Sequence, residues 1–224
     1  MSHTTESRSI EHCAIATPVL LQVESLAFGY PQRELFTDWS ARIGPGVTLV
    51  RGGDGSGSGK TALLRLLAGD LPARSGLLRL HGVRLDAQPI AYRQQVFWAD
   101  PQSQAFERVT ALDYFESLRQ AYPGFDDRAL ATLIGGLSLV EYQSKPLYML
   151  STGSKRKVWL AGAFASCAAV TLLDQPFAAL DKASIEFVRQ LLAQTADHPA
   201  RAWVLADYEA PRGVVLAAVI ELAG

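Results

Sequence analysis

The chain has 224 residues, of which 49% are hydrophobic and 19% are charged. This composition supports a packed core and excludes global disorder. Lys plus Arg number 21 and Asp plus Glu number 22, so the net charge of −1 gives no electrostatic argument for a nucleic-acid partner, and we expect none. Two cysteines, Cys13 and Cys167, are too few for a disulfide framework and lack metal-ligand spacing, which favours a cytoplasmic location.

The first third of the chain predicts two strands and a helix. Residues 1–18 are polar and lack the pattern of a secretory signal, so we expect a loose N-terminal tail. The β-branched alternation over Val19–Leu26 predicts a strand, and the apolar run Val47–Val50 predicts a second strand before a glycine-rich loop. From Lys60 the apolar residues follow a helical period, with Gly69 as the candidate C-cap.

The rest of the chain alternates between strand and helix. Residues 75–83 predict a short hairpin strand. Residues 104–148 contain mainly helical patterns, interrupted at Pro123-Gly124 and Gly135-Gly136, and we expect an inserted helical subdomain at about 104–157. Further predicted strands lie at 169–174, 202–207 and 214–222, with a helix at about 184–196.

Continuous apolar strands that alternate with helices are typical of a parallel sheet covered on both faces. We therefore predict an α/β fold with a mainly parallel sheet, flanking helices, an antiparallel β arm and the helical insert, in one domain over residues 19–224. The apolar stretches near residues 158–173 and 214–222 are shorter than the ~20 residues that a membrane-spanning helix needs.

The strongest functional motif is "GGDGSGSGKT", Gly52 to Thr61, between the second strand and the first helix. Glycines let successive backbone N–H groups converge on phosphate oxygens, and the helix N-terminus adds a positive dipole end. In such a P-loop Lys60 reaches the β- and γ-phosphates and the Thr61 hydroxyl ligates Mg²⁺. The candidate phosphate-binding residues are Gly55, Ser56, Gly57, Ser58, Gly59, Lys60, Thr61 and Ala62.

The loop departs from the usual spacing G-x-x-x-x-G-K-[ST]. Counted back from Gly59, Asp54 stands where the first glycine belongs. Alternatively, one Ser-Gly unit is doubled, and its deletion restores the pattern with Gly52 as the first glycine. We favour the doubled unit, and either departure is expected to weaken nucleotide affinity.

A second half of a nucleotide site follows in "AVTLLDQP", residues 169–176. Its apolar residues predict a buried strand that carries Asp174 to the carboxyl end of the sheet, beside the P-loop. This arrangement resembles a Walker B strand, in which the aspartate holds Mg²⁺.

With these motifs in order, the chain resembles the ATP-binding cassette (ABC) ATPase family over about residues 19–224. "LSTGSKRKV", residues 150–158, is similar to the family signature LSGGQ. Ser151 and Gly153 are retained, Thr152 replaces the first glycine and Ser154 replaces the glutamine. The motif precedes a predicted helix to Ser166, whose N-terminus suits a γ-phosphate contact.

The resemblance assigns further positions. Tyr30 in "FGY" stands where an aromatic ring stacks on adenine. "DPQSQAF" is similar to the Q-loop, with Gln102 as the first candidate for the glutamine near Mg²⁺ and Gln104 as the second. Asp181, at the end of "AALD", resembles the D-loop residue that crosses between paired subunits.

Two positions depart from the family in its catalytic residues. Gln175 follows Asp174, where the family has a glutamate that polarises the attacking water. Glutamine can position water but cannot accept a proton. Asp207 follows the strand after which the family has a switch histidine. We therefore expect hydrolysis to be weak, since a lost general base typically costs about 10²–10⁴-fold in rate.

The resemblance implies ATP and Mg²⁺ as ligands and a head-to-tail homodimer or heterodimer of cassettes. It also implies transmembrane permease subunits that dock on the helical insert, which would place the chain on the cytoplasmic side of a membrane. Two alternatives remain open: a soluble ABC protein without a transport role, and a nucleotide-sensing cassette that binds ATP without efficient turnover. The basic cluster Lys155-Arg156-Lys157 could serve nucleic acid, but we interpret it as a solvated helix face.

Overall fold

Two β-sheets form the framework of the chain. A computed structural model describes residues 18–52, 59–100 and 103–222. The larger sheet has the strand order β6-β7-β8-β3-β9, and every neighbouring pair in it is parallel. Its strands are β3 (Gly46–Gly52), β6 (Val96–Trp98), β7 (Val170–Asp174), β8 (Ala202–Ala206) and β9 (Leu216–Leu222). The predicted parallel α/β sheet is therefore confirmed.

The parallel sheet is covered on both faces, as its apolar strands require. Along β8, Trp203 and Leu205 contribute to one hydrophobic cluster, whereas Val204 and Ala206 contribute to a second cluster on the opposite face. Successive side chains of a strand point to opposite faces, so a strand that is apolar at every position needs cover on both sides.

The predicted antiparallel arm is a four-stranded sheet with the order β2-β1-β4-β5. Its strands are β1 (Leu21–Tyr30), β2 (Arg33–Ile43), β4 (Ser75–Leu80) and β5 (Val83–Arg84). The predicted hairpin at residues 75–83 is confirmed, since His81 and Gly82 form its two-residue turn with φ of 47° and 81°. Two left-handed residues twist the turn in the sense that a hairpin needs.

Six α-helices lie in the described part of the chain, together with two 3₁₀ turns at Val140–Tyr142 and Leu147–Met149. The helices are α1 (Lys60–Ala68), α2 (Pro89–Arg93), α3 (Ala111–Ala121), α4 (Asp127–Gly136), α5 (Thr152–Ala165) and α6 (Lys182–Thr195). Pro123-Gly124 separates α3 from α4, and Gly135-Gly136 ends α4. The limits of a separate helical subdomain at 104–157 stay a prediction. In the described ranges no helix combines the length and the apolar character that crossing a membrane requires.

The C-terminal end of α1 is held by side chains of α2. Gly69 is the predicted C-cap, with φ of 70°. The last carbonyls of a helix have no partner within the helix. Here the buried Tyr92 hydroxyl donates a 2.8 Å hydrogen bond to the Leu67 carbonyl, and Arg93 Nη2 donates a 2.7 Å bond to the Gly69 carbonyl. These contacts fix the helix whose first residues are Lys60 and Thr61.

Replacing Tyr92 with Phe is expected to destabilise the chain by about 1–2 kcal/mol, because it leaves the buried Leu67 carbonyl without its partner. The measurement is the free energy of unfolding from urea titration. Tyr148→Phe is the matched control. Tyr148 is exposed, so the loss of its hydroxyl should change the free energy of unfolding by less than about 0.5 kcal/mol. Equal losses in the two variants would contradict this account of how α1 ends.

Candidate functional site

The carboxyl ends of β3, β7 and β8 meet at one edge of the parallel sheet. In the register, Ala206 of β8 pairs with Val50 of β3 on one side and with Asp174 of β7 on the other. The predicted residues found at this edge are Lys60 and Thr61 at the start of α1, Asp174 at the end of β7, Gln175 directly after it, and Asp207 directly after β8. Strand register thus brings both predicted halves of the site together, as is general for ligand sites in open α/β sheets.

Thr61 and Asp174 are in direct contact. Thr61 Oγ1 donates a hydrogen bond of 2.6 Å to Asp174 Oδ2. Burial raises the pKa of Asp174, while the Thr61 hydrogen bond and the nearby charges of Arg156 and Lys60 lower it. A hydroxyl and a carboxylate oxygen are ligands that Mg²⁺ prefers. Within the described ranges there is no group of three or more His, Cys, Asp or Glu that could hold a metal by itself.

Lys60 is almost fully buried, with 6% of its surface exposed. Its ammonium lies 4.4 Å from the centroid of the Tyr208 ring, in a cation–π contact. The same charge acts on the carboxyls of Asp174 and Asp207. Tyr208 is a site residue that sequence reasoning missed, although its position directly after Asp207 offered a signal.

Gln175 and Asp207 occupy neighbouring loops. The Gln175 N–H donates a 2.9 Å hydrogen bond to the Ala206 carbonyl, and its φ of 46° lies in the left-handed region. The Asp207 carboxyl accepts a 2.8 Å bond from the Tyr208 N–H. Burial raises the pKa of Asp207, the negative charge of Asp174 adds to this, and Lys60 opposes it.

Ser151 to Ser154 form the N-terminus of α5, as the sequence predicts. Ser151 is the N-cap, and its Oγ accepts a 3.1 Å hydrogen bond from the Ser154 N–H. Ser151 and Thr152 are exposed. Gly153 lies against the loop after β7, so that a Cβ at this position would be 2.4 Å from the Ala179 carbonyl oxygen. The glycine is therefore required by packing, independently of any ligand.

Asp181 has a structural role that the sequence did not predict. It caps the N-terminus of α6 by accepting a 2.9 Å hydrogen bond from the Ser184 N–H. Its carboxylate also pairs with Lys157 of α5 at 2.5 Å. Hydrogen bonds from Lys157 and from the Ser184 N–H lower the pKa of Asp181. Through these two contacts Asp181 connects the N-terminus of α6 to α5.

The interpretation of Lys155-Arg156-Lys157 as a solvated helix face is wrong. All three side chains are partly buried and have partners. Lys155 pairs with Glu107 at 2.6 Å and Lys157 pairs with Asp181. Arg156 Nη1 donates to backbone carbonyls at the end of β7. A basic triplet does not reveal such partners, because they come from segments distant in the sequence.

Two further predicted residues, Tyr30 and Gln104, are exposed, and several others fall outside the described residues. Tyr30 is an exposed residue at the end of β1, with its ring 5.2 Å from that of Phe28. Gln104 is exposed in the loop before α3. The predicted residues Gly55, Ser56, Gly57, Ser58 and Gln102 fall outside the described ranges, as do Asp54 and most of the predicted N-terminal tail.

Comparison with known proteins identifies the class. Residues 37–178 match the family described as ABC transporter. The cytochrome c biogenesis ATP-binding export protein CcmA of Pseudomonas syringae pv. syringae is 32% identical over 82% of this chain and 85% of its own length. The taurine import ATP-binding protein TauB of Pseudomonas fluorescens is 31% identical over 88% of this chain and 75% of its own.

A solved structure of an ATP-binding subunit of an ABC transporter has a TM-score of 0.73 to this chain at 22% identity, covering 84% of this chain and 79% of that one. The likeness to this structure shows that the chain has the fold of an ABC ATPase cassette. The chain belongs to the ABC transporter family, and the resemblance drawn from its motifs is confirmed.

Gly153→Ala is expected to destabilise the chain by about 1–3 kcal/mol, because the added methyl group meets the backbone carbonyl of Ala179, which cannot rotate away. Gly135→Ala is the matched control. It lies in α4, where a Cβ meets nothing within 4 Å, so the better helix propensity of alanine should stabilise the chain by up to about 1 kcal/mol. Urea unfolding of both variants checks this, and a stabilised Gly153→Ala variant would refute the close approach.

Proposed function

We propose that this chain binds Mg-ATP at the carboxyl edge of its parallel sheet and drives transport through ATP-dependent pairing of two cassettes. The observation that carries the proposal is the 2.6 Å contact between Thr61 and Asp174. This contact joins the start of α1, directly after the P-loop lysine, to the last residue of the buried strand β7. Family membership supports the same conclusion.

The proposed roles follow the motifs residue by residue. Lys60 binds the β- and γ-phosphates, and the helix dipole of α1 adds to the attraction. The Lys60 ammonium lies against the Tyr208 ring, and its three N–H donors allow it to bind phosphate as well. Tyr30 stacks on adenine. The other proposed nucleotide-binding residues are Gly55, Ser56, Gly57, Ser58, Gly59, Thr61, Ala62 and Gln102.

Thr61 and Asp174 fit a Mg²⁺ ion by chemistry, since each supplies an oxygen donor and the two oxygens are already adjacent. Gln102 is the third proposed ligand. When bound, the ion neutralises phosphate charge. Because protein ligands are few in the described residues, the site depends on phosphate and water oxygens to complete the coordination, which is usual for Mg²⁺.

Hydrolysis is expected to be slow. Gln175 holds a position from which it can orient water, but its amide cannot take a proton. Asp207 places a second carboxylate near the phosphates, where negative charge is unfavourable. Together these residues are expected to slow hydrolysis, while the residues that bind phosphate and Mg²⁺ remain.

Pairing of cassettes would use the N-terminus of α5. Ser151, Thr152, Gly153 and Ser154 form an exposed helix N-terminus, which suits an anion supplied by a second cassette. Asp181 lies at the neighbouring N-terminus of α6. The second cassette is another copy of this chain or a related subunit.

The membrane partner is proposed from the relatives. CcmA is named as an export protein and TauB as an import protein, and both are named as ATP-binding. We infer that this chain serves transmembrane permease subunits and binds peripherally at the cytoplasmic face of the membrane. The two relatives differ in the direction of transport and in the transported substrate. We therefore propose neither a direction nor a substrate for this chain.

A second candidate function is a nucleotide-sensing or other non-transport cassette that pairs on ATP with little turnover. Gln175 and Asp207 favour it, because both weaken the hydrolytic step while the binding residues remain. ATP-dependent dimerisation together with negligible phosphate release, and no recruitment by any permease, would select this function.

Gln175→Glu is expected to raise phosphate release at saturating Mg-ATP by roughly 10²-fold, because it restores a general base. Release is measured on the purified chain by a continuous phosphate assay. Lys60→Ala is the control that should abolish thermal stabilisation by Mg-ATP. Turnover that is already high in the unaltered chain and unchanged by Gln175→Glu would show that hydrolysis is not limited at this side chain.

A further inference from the structure

The Arg156 side chain reaches from α5 to the carboxyl end of β7. It lies on α5, and its Nη1 donates hydrogen bonds to two successive backbone carbonyls, at 3.1 Å to Asp174 and at a shorter distance to Gln175. The side chain is partly buried. Hydrogen bonds from a guanidinium to carbonyls are charge-assisted and stronger than neutral ones.

These contacts hold Gln175 in an unfavourable backbone conformation. Its φ of 46° lies in the left-handed region, which is strained for a residue with a Cβ. The N–H of Gln175 is bound by the Ala206 carbonyl and its C=O by Arg156, so both adjacent peptide groups are fixed. A strained residue at a functional site persists only where its surroundings determine it in this way.

Arg156 also lies near the two carboxylates of the site: it contacts the backbone of Asp174, and the next residue that it contacts is hydrogen-bonded to the residue before Asp207. Burial lowers the pKa of Arg156, and the charges of Asp174 and Asp207 oppose that effect. In turn, the Arg156 charge acts on the carboxyl of Asp207 alongside that of Lys60. The guanidinium therefore offsets negative charge at the place where a triphosphate would add more.

Not every buried donor of Arg156 is paired within the described residues. In the part of the chain that the structure describes, its buried Nε has no hydrogen-bond partner. A cavity of about 30 Å³ adjoins the side chain and is also lined by Asp174, Trp159 and Pro176. This space is large enough for a water molecule.

We propose that Arg156 is a positioning residue of the nucleotide site: it fixes Gln175 through its carbonyl and supplies, from the same chain, the positive charge that lets Asp207 lie near the triphosphate. The inference rests on the proposed function and adds a residue that the motifs do not assign. It predicts that Arg156 and Asp207 affect nucleotide affinity together, whereas a purely structural role would make their effects independent.

The experiment is a double-mutant cycle on the full chain. The dissociation constant of Mg-ATP is measured by calorimetry for the unaltered chain, Arg156→Met, Asp207→Asn and the double variant. Arg156→Met should weaken binding roughly tenfold, and the double variant should recover most of that loss. Lys155→Met is the matched control. It removes the same charge from the same helix, but at a side chain paired with Glu107, and should change affinity less than about twofold.

A separate measurement tests whether Arg156 positions Gln175. In a Gln175→Glu background, Arg156→Lys keeps the charge but loses the paired contact to the carbonyls. It should retain affinity while kcat falls roughly tenfold. Additive effects of Arg156→Met and Asp207→Asn would overturn the charge role, and an unchanged kcat in Arg156→Lys would overturn the positioning role.

The cycle also separates this inference from the proposed function. If the unaltered chain binds no Mg-ATP, the proposed function is wrong. The same four variants, compared by urea unfolding without nucleotide, then test the coupling between Arg156 and Asp207 directly. If the changes in unfolding free energy of the two single variants add up to that of the double variant, Arg156 and Asp207 are not coupled and the inference is wrong.

Discussion

The hydrogen bond between Thr61 and Asp174 joins two segments that are 113 residues apart, and the site depends on it. Parallel pairing makes it possible, because β8 lies between β3 and β7 with its last residue in register with both. Any helix that follows β3 then begins beside the carboxyl end of β7. The fold thus specifies where the chemistry occurs before any side chain is considered.

Charge balance is the second constraint on this edge. Burial raises the pKa values of Asp174 and Asp207, which means that the protein pays in desolvation for holding two carboxylates together. Lys60 and Arg156 oppose that cost, one from the P-loop helix and the other from the signature helix. We propose that binding and turnover are separable, because Lys60 and Arg156 act on nucleotide affinity whereas Gln175 limits hydrolysis by lacking a general base.

Much of the framework could be predicted from sequence. The runs at 47–50, 169–174 and 202–207 are short and mostly apolar at successive positions, and their length favours strands buried on both faces. The start of α5 directly after Ser151 was predictable, because this capping serine belongs to the signature motif. The three-residue strand β6 was not, since it is too short for a period. Strand β2 was also missed, because its exposed residues follow no strict alternation.

The site was less predictable than the framework, because several of its contacts join distant segments. Arg156 sits in a basic triplet that reads as solvent-facing, yet its partners lie 18 and 19 residues away along the chain. Asp181 was assigned by resemblance to the D-loop that crosses between paired subunits, and its local role as the cap of α6 depends on the bond to Ser184. Tyr208 contacts Lys60 only because β3 and β8 are adjacent. Patterns of residue type identify motifs, but not the tertiary partners of each side chain.

The most direct test is the Mg²⁺ dependence of ATP binding, measured by calorimetry with the metal and with EDTA. We expect Mg²⁺ to tighten binding by the unaltered chain about tenfold or more, and Asp174→Asn to remove most of that gain. Asp86→Asn is the control, because it alters an exposed carboxylate that pairs with Arg84 of β5. This variant should keep the full effect of Mg²⁺ on ATP binding. Equal Mg²⁺ dependence in the unaltered chain and Asp174→Asn would contradict the assignment of this edge as the nucleotide site.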